Sequence, residues 1–302
     1  MKNIFISTSS FGEYDALPLK LLDEAGMNVQ VNPHGRQLTP EECSSLYRDI
    51  DGLIAGTEPL TAAVLKSAKN LKVISRCGVG IENIDLEAAK KQKIQIYNTP
   101  DAPTLAVAEL ALGLMLALLR HLPRVDRVIR AGKWQKHMGN LLQGKTVGII
   151  GFGRIGQKVG ELVRALGAQV VYCDPAVNKA GYERLSLDEL LAQSDIISLH
   201  LSGGGKGAPL LGSRELRMMK QGSRLVNCAR GGVVSEAALY QVLQEGWLAG
   251  AALDVFTQEP YTGPLTKLDN VILTPHIGSY AVESRIDMEV QASKNLIKGL
   301  KG

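Results

Sequence analysis

Residues 145–160 read KTVGIIGFGRIGQKVG, and they set the expectation for the fold of the second half of the chain. The apolar run Val147–Ile150 predicts a buried strand, and residues 157–166 predict the helix that follows it. Between them lie three glycines in the pattern G-x-G-x-x-G, namely Gly151, Gly153 and Gly156. Glycines in this context allow a tight turn and let backbone N–H groups approach a pyrophosphate at the helix N-terminus.

A carboxylate after the next strand completes this pattern. The run QVVYCD at 169–174 predicts a strand that ends at Asp174. A carboxylate there accepts hydrogen bonds from an adenosine ribose and repels a 2′-phosphate, so the combination predicts an NAD site and favours NAD over NADP. The alternative is a glycine turn that only packs a helix on a strand, with Asp174 as a solvated turn residue.

Strand and helix patterns alternate on both sides of this motif. The expected strands lie at 3–7, 28–32, 52–56, 72–76, 93–98, 145–153, 169–175, 195–201, 224–232, 250–256 and 270–278. This alternation predicts an α/β protein with two domains, each a doubly wound parallel sheet. The prolines of TPDAP at 99–103 mark the expected hinge, and a last helix at 281–302 is expected to return to the first domain.

Composition narrows the classes of partner. The 302 residues are 45% hydrophobic and 21% charged, with a net charge of +4 and interspersed acids and bases. This pattern predicts no nucleic-acid partner and fits a small anionic ligand. The four cysteines form no C-x-x-C pair, and the five histidines show no metal-ligand spacing. We therefore expect no metal and a reduced, cytoplasmic protein.

Residues 102–119 form a segment with the length of a membrane span, apolar apart from Thr104 and Glu109. Glu109 lies in the middle of the segment, and the sequence has no second segment of this kind, so we expect no membrane partner. A helix that is apolar on nearly all sides is otherwise buried in a large core or at a subunit interface.

Polar residues follow three expected strands of the second half, where a plain core would not select them. They are Arg230 in NCARGG, Glu259 in LDVFTQEP and His276 in TPHIG. In a doubly wound sheet the carboxyl ends of the strands form the ligand crevice. Arginine binds a carboxylate through a planar fork, histidine exchanges protons near neutrality, and a neighbouring glutamate favours the imidazolium. Together they predict hydride transfer involving a 2-keto acid.

Each of these residues also has a structural interpretation. Arg230 could form an ion pair between the domains, for example with Glu259. Taken singly, His276 could be a turn histidine after Pro275, and Glu259 could be a loop acid before Pro260. The position of all three at strand ends, downstream of a dinucleotide pattern, favours the catalytic interpretation.

The order of the motifs resembles that of the NAD-dependent D-isomer-specific 2-hydroxyacid dehydrogenases, from about residue 45 to residue 300. The matching motifs are RCGVGIENIDL (76–86), NTPDAPTLAVAEL (98–110), GKW (132–134), LQGKTVGIIGFGRIG (142–156), YCDP (172–175), LVNCARGGVV (225–234), AALDVFTQEP (251–260) and TPHIG (274–278). Within the family the chain is most similar to the short form of D-3-phosphoglycerate dehydrogenase, through NTPDAPT, VNCARGG and AALDVFTQEP.

This resemblance implies a Rossmann NAD-binding domain at 99–280, with a dimerisation helix from residue 103, and a flavodoxin-like substrate domain formed by 1–98 with 281–302. It implies that Arg230, Glu259 and His276 are the catalytic residues. The implied substrate contacts are a basic residue near a phosphate, Arg76, and three backbone N–H groups for the carboxylate, at Gly78, Val79 and Gly80. The implied cofactor contacts are Gly151, Gly153, Arg154, Ile155, Gly156, Asp174, Leu201, Cys228, Asp254 and Gly278.

Two segments depart from the family's pattern. The family has H-x-P-L-T where residues 200–204 read HLSGG, so we expect a looser loop and only modest cofactor affinity. Residues 55–61 read AGTEPLT where some phosphoglycerate dehydrogenases have a basic residue, and Glu58 near a phosphate would be unfavourable.

The resemblance leaves three functions open. The first is NAD-dependent oxidation of 3-phosphoglycerate to 3-phosphohydroxypyruvate by a homodimer, as in serine biosynthesis. The second is glyoxylate or hydroxypyruvate reduction, which needs no second anion site. The third is an NAD-sensing, corepressor-like binding protein, which shares the fold and the triad.

Overall fold

The computed structural model describes residues 1–179, 181–201 and 207–301. The chain separates into two compact units, which we call the first unit (Met1–Pro103 with Ser279–Gly302) and the second unit (Thr104–Gly278). The sequence placed the two boundaries close by, after residues 98 and 280.

The first unit is an α/β sheet built from alternating elements. Its elements before residue 104 are β1 (Lys2–Ile6), α1 (Leu17–Glu24), β2 (Met27–Val31), α2 (Pro40–Leu46), β3 (Gly52–Ala55), α3 (Ala62–Ser67), β4 (Val73–Arg76), α4 (Leu86–Lys91) and β5 (Gln95–Tyr97). All strand pairs are parallel, in the order β2-β1-β3-β4-β5. This is the flavodoxin-like order, and it confirms the predicted fold class.

The second unit contains a larger parallel sheet. Its elements are α5 (Thr104–Arg120), α6 (Leu122–Arg130), β6 (Thr146–Ile150), α7 (Arg154–Ala165), β7 (Gln169–Cys173), β8 (Glu183–Arg184), α8 (Leu187–Gln193), β9 (Ile196–Leu199), α9 (Ser213–Met218), β10 (Arg224–Asn227), α10 (Glu236–Gln244), β11 (Gly250–Leu253), a 3₁₀ turn (Pro264–Lys267) and β12 (Val271–Leu273). The order β12-β11-β10-β9-β6-β7-β8 reverses direction at β6, as in a Rossmann sheet. The last helix, α11 (Val282–Lys301), belongs to the first unit.

Two elements differ from the sequence prediction. Helix α7 begins at Arg154, inside the glycine motif, because Gly153 serves as its N-cap. The short edge strand β8 was not predicted, since two residues carry no detectable alternation and depend on pairing with Val171 and Tyr172.

Alternation along the strands divides the side chains between the two faces of each sheet. In the first unit, Ile4 and Ile6 of β1 enter one apolar cluster and Phe5 enters the other. In the second unit, Leu225 and Val226 of β10 separate in the same way. Both faces are therefore buried, which explains the nearly continuous apolar strands of this sequence.

The long apolar helix α5 packs in the second unit against α7 and against strands β10 and β11. Leu105 and Leu116 on its other face are exposed. Within the described residues no single helix is long and apolar enough to cross a membrane. By length and composition α5 and α6 pass that test only as a pair, and the chain bends by 61° between them.

The glycine motif brings the start of α7 against the end of β6. Gly151 has a φ of +87°, and a Cβ there would lie 2.6 Å from the His200 carbonyl oxygen. A Cβ at Gly156 would lie 2.1 Å from the carbonyl oxygen of Gly151. A Cβ at Gly153, by contrast, would meet no atom within 4 Å. Two of the glycines are thus required by packing, and the third leaves space at the helix N-terminus.

We expect Gly156→Ala to lower the free energy of unfolding by about 1–3 kcal/mol, because the methyl group would overlap the carbonyl oxygen of Gly151. Gly153→Ala is the matched control, since its negative φ suits alanine, and it should change stability by less than about 0.5 kcal/mol. Urea denaturation followed by circular dichroism measures both. Equal stability of the two variants would contradict this account of the turn.

Candidate active site

The loop after β10 carries Arg230 and is shaped by a buried asparagine. Asn227 is 1% exposed, and its side-chain oxygen accepts the N–H of Ala229 at 3.1 Å. Its side-chain nitrogen donates to the carbonyl oxygen of Arg230 at 3.2 Å. Nη1 of Arg230 donates to the Ala229 carbonyl oxygen at 2.8 Å. These contacts orient the backbone from which the arginine extends at the carboxyl edge of the sheet.

Gly231 lets the neighbouring loop approach this backbone. A Cβ at Gly231 would lie 1.8 Å from the carbonyl oxygen of Phe256, so any side chain would push the two loops apart. The loop at Phe256 continues to Glu259. The glycine pair after Arg230 in the sequence therefore has a packing reason as well as a conformational one, since Gly232 has a φ of +76°.

Glu259 and His276 form the predicted pair. Nδ1 of His276 lies 2.9 Å from Oε2 of Glu259, and Oε1 of Glu259 accepts the N–H of Phe256 at 3.1 Å. Both carboxylate oxygens are thus engaged, one with the imidazole and one with the backbone. The side chains of Glu259 and His276 are 39% and 53% exposed, so a ligand has access to the imidazole.

The imidazole of His276 is held in a defined orientation. A hydrogen bond from Nδ1–H to the carboxylate leaves Nε2 as the nitrogen that can exchange a proton with a bound molecule. His276 itself has a φ of +55°, a left-handed conformation that is uncommon outside glycine. Surrounding contacts must therefore maintain it.

Asp254 supplies those contacts. Its carboxylate is 1% exposed and accepts the N–H groups of Ile277 and Gly278, each at 2.8 Å, and the Thr274 hydroxyl at 2.6 Å. The sequence predicts Asp254 as a cofactor contact. In the structure this buried carboxylate holds the loop that carries His276, and Gly278 is one of its donors, while the cofactor contacts of both residues stay predictions.

The glycine turn of the second unit fits a dinucleotide. The open side of Gly153 at the start of α7 leaves room for a phosphate near helical N–H groups. Oδ2 of Asp174 accepts the N–H of Phe152 at 2.7 Å, and Oδ1 accepts those of Ala176 and Val177. A carboxylate oxygen has two acceptor sites, so Asp174 holds the turn and retains capacity for ribose hydroxyls.

The other predicted cofactor residues are dispersed around this turn. Arg154 and Ile155 form the first turn of α7, Leu201 follows β9, and Cys228 follows β10. Burial raises the pKa of the Cys228 thiol well above its usual range, so it remains neutral. The predicted loosening concerns the loop at 202–207, of which residues 202–206 lie outside the described part of the chain.

The loop after β4 carries the predicted substrate contacts of the first unit. The N–H of Gly78 donates to the Thr99 hydroxyl at 2.8 Å, so this donor is engaged within the first unit, and its contact with a substrate stays a prediction. Val79 and Gly80 have no hydrogen-bond partner for their N–H groups within the described residues, so these two remain candidates. The threonine of NTP thus supports the loop, a contact that the sequence did not reveal.

Glu58 lies in the interior of the first unit and is 2% exposed. Oε1 accepts the Ser7 hydroxyl at 2.6 Å, and Oε2 accepts the Gly56 N–H at 3.0 Å. Burial raises the pKa of Glu58. Its side chain links the end of β1 to the end of β3. Because this carboxyl group is buried, the unfavourable contact with a substrate phosphate that the sequence suggested is not expected.

Sequence reasoning missed Asn227, Thr274 and Thr99, which orient the site rather than face a ligand. Asn227 had a detectable signal, because an asparagine two residues before a turn often accepts the backbone N–H two positions on. Thr274 contacts Asp254 and Thr99 contacts Gly78, which lie 20 and 21 residues away in the sequence, and no local sequence pattern predicts such contacts.

The chain is similar to known proteins over nearly its whole length. Residues 112–278 match the family model described as "D-isomer specific 2-hydroxyacid dehydrogenase, NAD binding domain". A D-3-phosphoglycerate dehydrogenase of Methanocaldococcus jannaschii is 40% identical over 94% of this chain and 55% of its own length. A hydroxypyruvate reductase of Thermotoga maritima is 37% identical over 92% of this chain and 96% of its own length.

Among solved structures, the TT0316 protein of Thermus thermophilus superimposes with a TM-score of 0.93 at 37% identity, covering 99% of this chain and 97% of that one. The chain spans about half the length of the phosphoglycerate dehydrogenases it matches, 55% and 47% for two of them. The agreement of sequence, fold and the second unit's NAD-binding domain shows that this chain belongs to the D-isomer-specific 2-hydroxyacid dehydrogenase family.

Proposed function

We propose that the protein is an NAD-dependent oxidoreductase that transfers a hydride between NAD and a D-2-hydroxy acid or its 2-keto acid. The observation that carries this proposal is the pair of Glu259 and His276, 2.9 Å apart at the carboxyl edge of a dinucleotide-binding sheet. Arg230 extends from a loop at the same edge, two strands away from the glycine turn.

The residues divide the chemistry between them. When bound, NAD accepts or supplies the hydride at the substrate's C2. Arg230 binds the substrate carboxylate and polarises the carbonyl through its guanidinium. During reduction His276 donates the proton on Nε2 to the carbonyl oxygen of C2, which becomes the hydroxyl group. During oxidation Nε2 accepts the proton of that hydroxyl group. Glu259 keeps the imidazole oriented and favours its charged form.

The first candidate substrate is 3-phosphoglycerate, which would be oxidised to 3-phosphohydroxypyruvate as in serine biosynthesis. The curated relatives include D-3-phosphoglycerate dehydrogenases as well as glyoxylate and hydroxypyruvate reductases, so reduction of a small unphosphorylated acid is the second candidate. Arg76 and the N–H groups of Val79 and Gly80 are the proposed substrate contacts of the first unit, which would then be the substrate domain. A corepressor-like binding protein, which shares the fold and the triad, is the third candidate.

The proposed assembly is a homodimer through the exposed side of α5. Leu105 and Leu116 expose apolar surface on this helix. Farther along, Trp134 and Met138 are 86% and 94% exposed, an unusual state for such large side chains. A second copy that covers this surface explains why the helix lacks a polar face. The four free cysteines, of which three are buried, support a reducing, cytoplasmic location.

We expect Arg230→Ala to fold and to bind NADH like the wild type, but to lose roughly 30- to 5,000-fold in kcat/KM, because a bidentate contact to the substrate carboxylate is worth about 2–5 kcal/mol. Arg230→Lys should recover only part of the loss, since an ammonium lacks the planar fork. Steady-state assays with a panel of 2-keto acids measure this. Tight NADH binding by a wild type that turns over no acid in the panel would instead favour the binding protein.

We expect the wild type to prefer NAD to NADP, and Asp174→Ala to narrow the preference through a loss of about 10- to 100-fold in NAD affinity. The alanine removes both the ribose acceptor and the partner of the Phe152 N–H. Titration of each reduced cofactor by fluorescence provides the dissociation constants, with Asp188→Ala as the control for a lost surface charge. Equal affinity of the wild type for the two cofactors would contradict the role given to Asp174.

We expect sedimentation equilibrium at micromolar concentration to give a dimer for the wild type and a monomer for Leu116→Glu, because a charge in an apolar interface lacks a partner there. Leu166→Glu, on an exposed leucine at the end of α7, is the control and should remain dimeric. A stable wild-type monomer would contradict the proposed interface.

A further inference from the structure

Tyr172 is a fully buried tyrosine on β7 in the second unit, two residues before Asp174. Its side chain belongs to the apolar cluster that lies between the sheet and the helices α5 and α7. The ring stacks on that of Phe152, with a distance of 4.2 Å between the centroids and an angle of 17° between the planes. Phe152 lies inside the glycine motif, so this stack joins β7 to the glycine turn.

The hydroxyl of Tyr172 contacts the loop that follows β7. Its oxygen accepts the N–H of Lys179 at 2.9 Å, and the hydroxyl donates to the carbonyl oxygen of Val177 at 3.4 Å. The backbone of this loop thus uses the hydroxyl both as a donor and as an acceptor. Because a backbone N–H that loses its partner away from water is unfavourable, the hydroxyl stabilises the position of the chain at 177–179.

Two of the residues that Tyr172 contacts also bind the carboxylate of Asp174. Oδ2 of Asp174 accepts the N–H of Phe152 at 2.7 Å, and Oδ1 accepts the N–H of Val177 at 3.0 Å. Tyr172 holds Phe152 through the ring stack and Val177 through its carbonyl oxygen. One buried side chain therefore supports a donor to each of the two carboxylate oxygens.

These donors set the direction in which Asp174 can accept a further hydrogen bond. Oδ1 has two donors, the N–H groups of Ala176 and Val177, and both of its acceptor sites are used. Oδ2 has one donor, the N–H of Phe152, and keeps one acceptor site. A ribose hydroxyl would therefore bind to Oδ2. A shift of Val177 would let the carboxylate rotate and would misdirect this remaining site.

We propose that Tyr172 is a positioning residue for the cofactor, which holds Phe152 and Val177 and through them orients Asp174 toward the adenosine ribose of NAD. The proposal rests on the role that the proposed function gives to Asp174 as the ribose acceptor. It assigns part of the affinity for the dinucleotide to a hydroxyl group that is itself buried. The effect concerns the adenosine half of the cofactor and not the half that carries the hydride.

Tyr172→Phe tests the proposal, because it keeps the ring and removes only the hydroxyl. The dissociation constants of NADH and of ADP-ribose, measured by isothermal titration calorimetry, should both rise about three- to ten-fold, as for the loss of one buried hydrogen bond. ADP-ribose lacks the nicotinamide, so an equal loss on both ligands assigns the effect to the adenosine half. KM for NADH should rise in proportion, while kcat at saturating NADH should change less than about two-fold.

Tyr182→Phe is the matched control. The ring of Tyr182 also contacts Phe152, at 5.1 Å between centroids, but its hydroxyl forms no hydrogen bond with any residue that the structure describes. Its removal should leave both dissociation constants within about two-fold of the wild type. A loss as large as that of Tyr172→Phe would overturn the proposal, because any tyrosine near the turn would then have the same effect.

A double-mutant cycle with Asp174→Ala separates positioning from a general loss of structure. In the Asp174→Ala background, Tyr172→Phe should weaken NADH binding by less than about two-fold, because the carboxylate that it orients is absent. Additive losses, an unchanged NADH affinity of Tyr172→Phe, or a loss on NADH that ADP-ribose does not share would each overturn the proposal. An unchanged affinity of Asp174→Ala would overturn it together with the ribose role of Asp174. Turnover of a 2-keto acid by the wild type would leave the proposed hydride transfer standing in all of these cases.

Discussion

The contact between the Gly151 carbonyl oxygen and Gly156 sets the geometry on which the rest of the second unit depends. Because no side chain separates them, α7 starts directly beside the end of β6, and its first N–H groups face the carboxyl edge of the sheet. All strand pairs of this sheet are parallel, so the loops after β7, β10, β11 and β12 reach the same edge. A cofactor turn and the acid–base pair therefore follow from one topology.

Buried or partly buried carboxylates hold the loops at these edges. Asp254 binds the loop of His276, Asp174 binds the glycine turn, and Glu289 binds the backbone at Gly12. In each case the acceptor meets backbone N–H groups that regular structure leaves unpaired, and an unpaired buried group would be unfavourable. These three acids thus fix the positions of backbone segments.

Glu259 differs from these three acids because it acts on a side chain. It uses one oxygen to secure its own loop through the Phe256 N–H and the other to orient His276. This double use couples the position of the imidazole to the close approach of that loop to Gly231. The proposed hydride transfer requires a rigid orientation of the proposed proton donor, because the proton and the hydride must reach adjacent atoms.

The sequence by itself determined the class of both sheets, the glycine turn and the three residues proposed for catalysis, because each has a local signal. Alternating apolar runs predict strands, glycine spacing predicts the turn, and a single arginine or histidine after a strand, as at Arg230 and His276, indicates chemistry. Only the tertiary structure decided which groups Asp254 and Thr99 contact. Their partners lie 20 or more residues away, and one residue type suits several such roles. Such a contact depends on how the helices, strands and loops pack together, and no periodic sequence pattern predicts which residues packing will bring together.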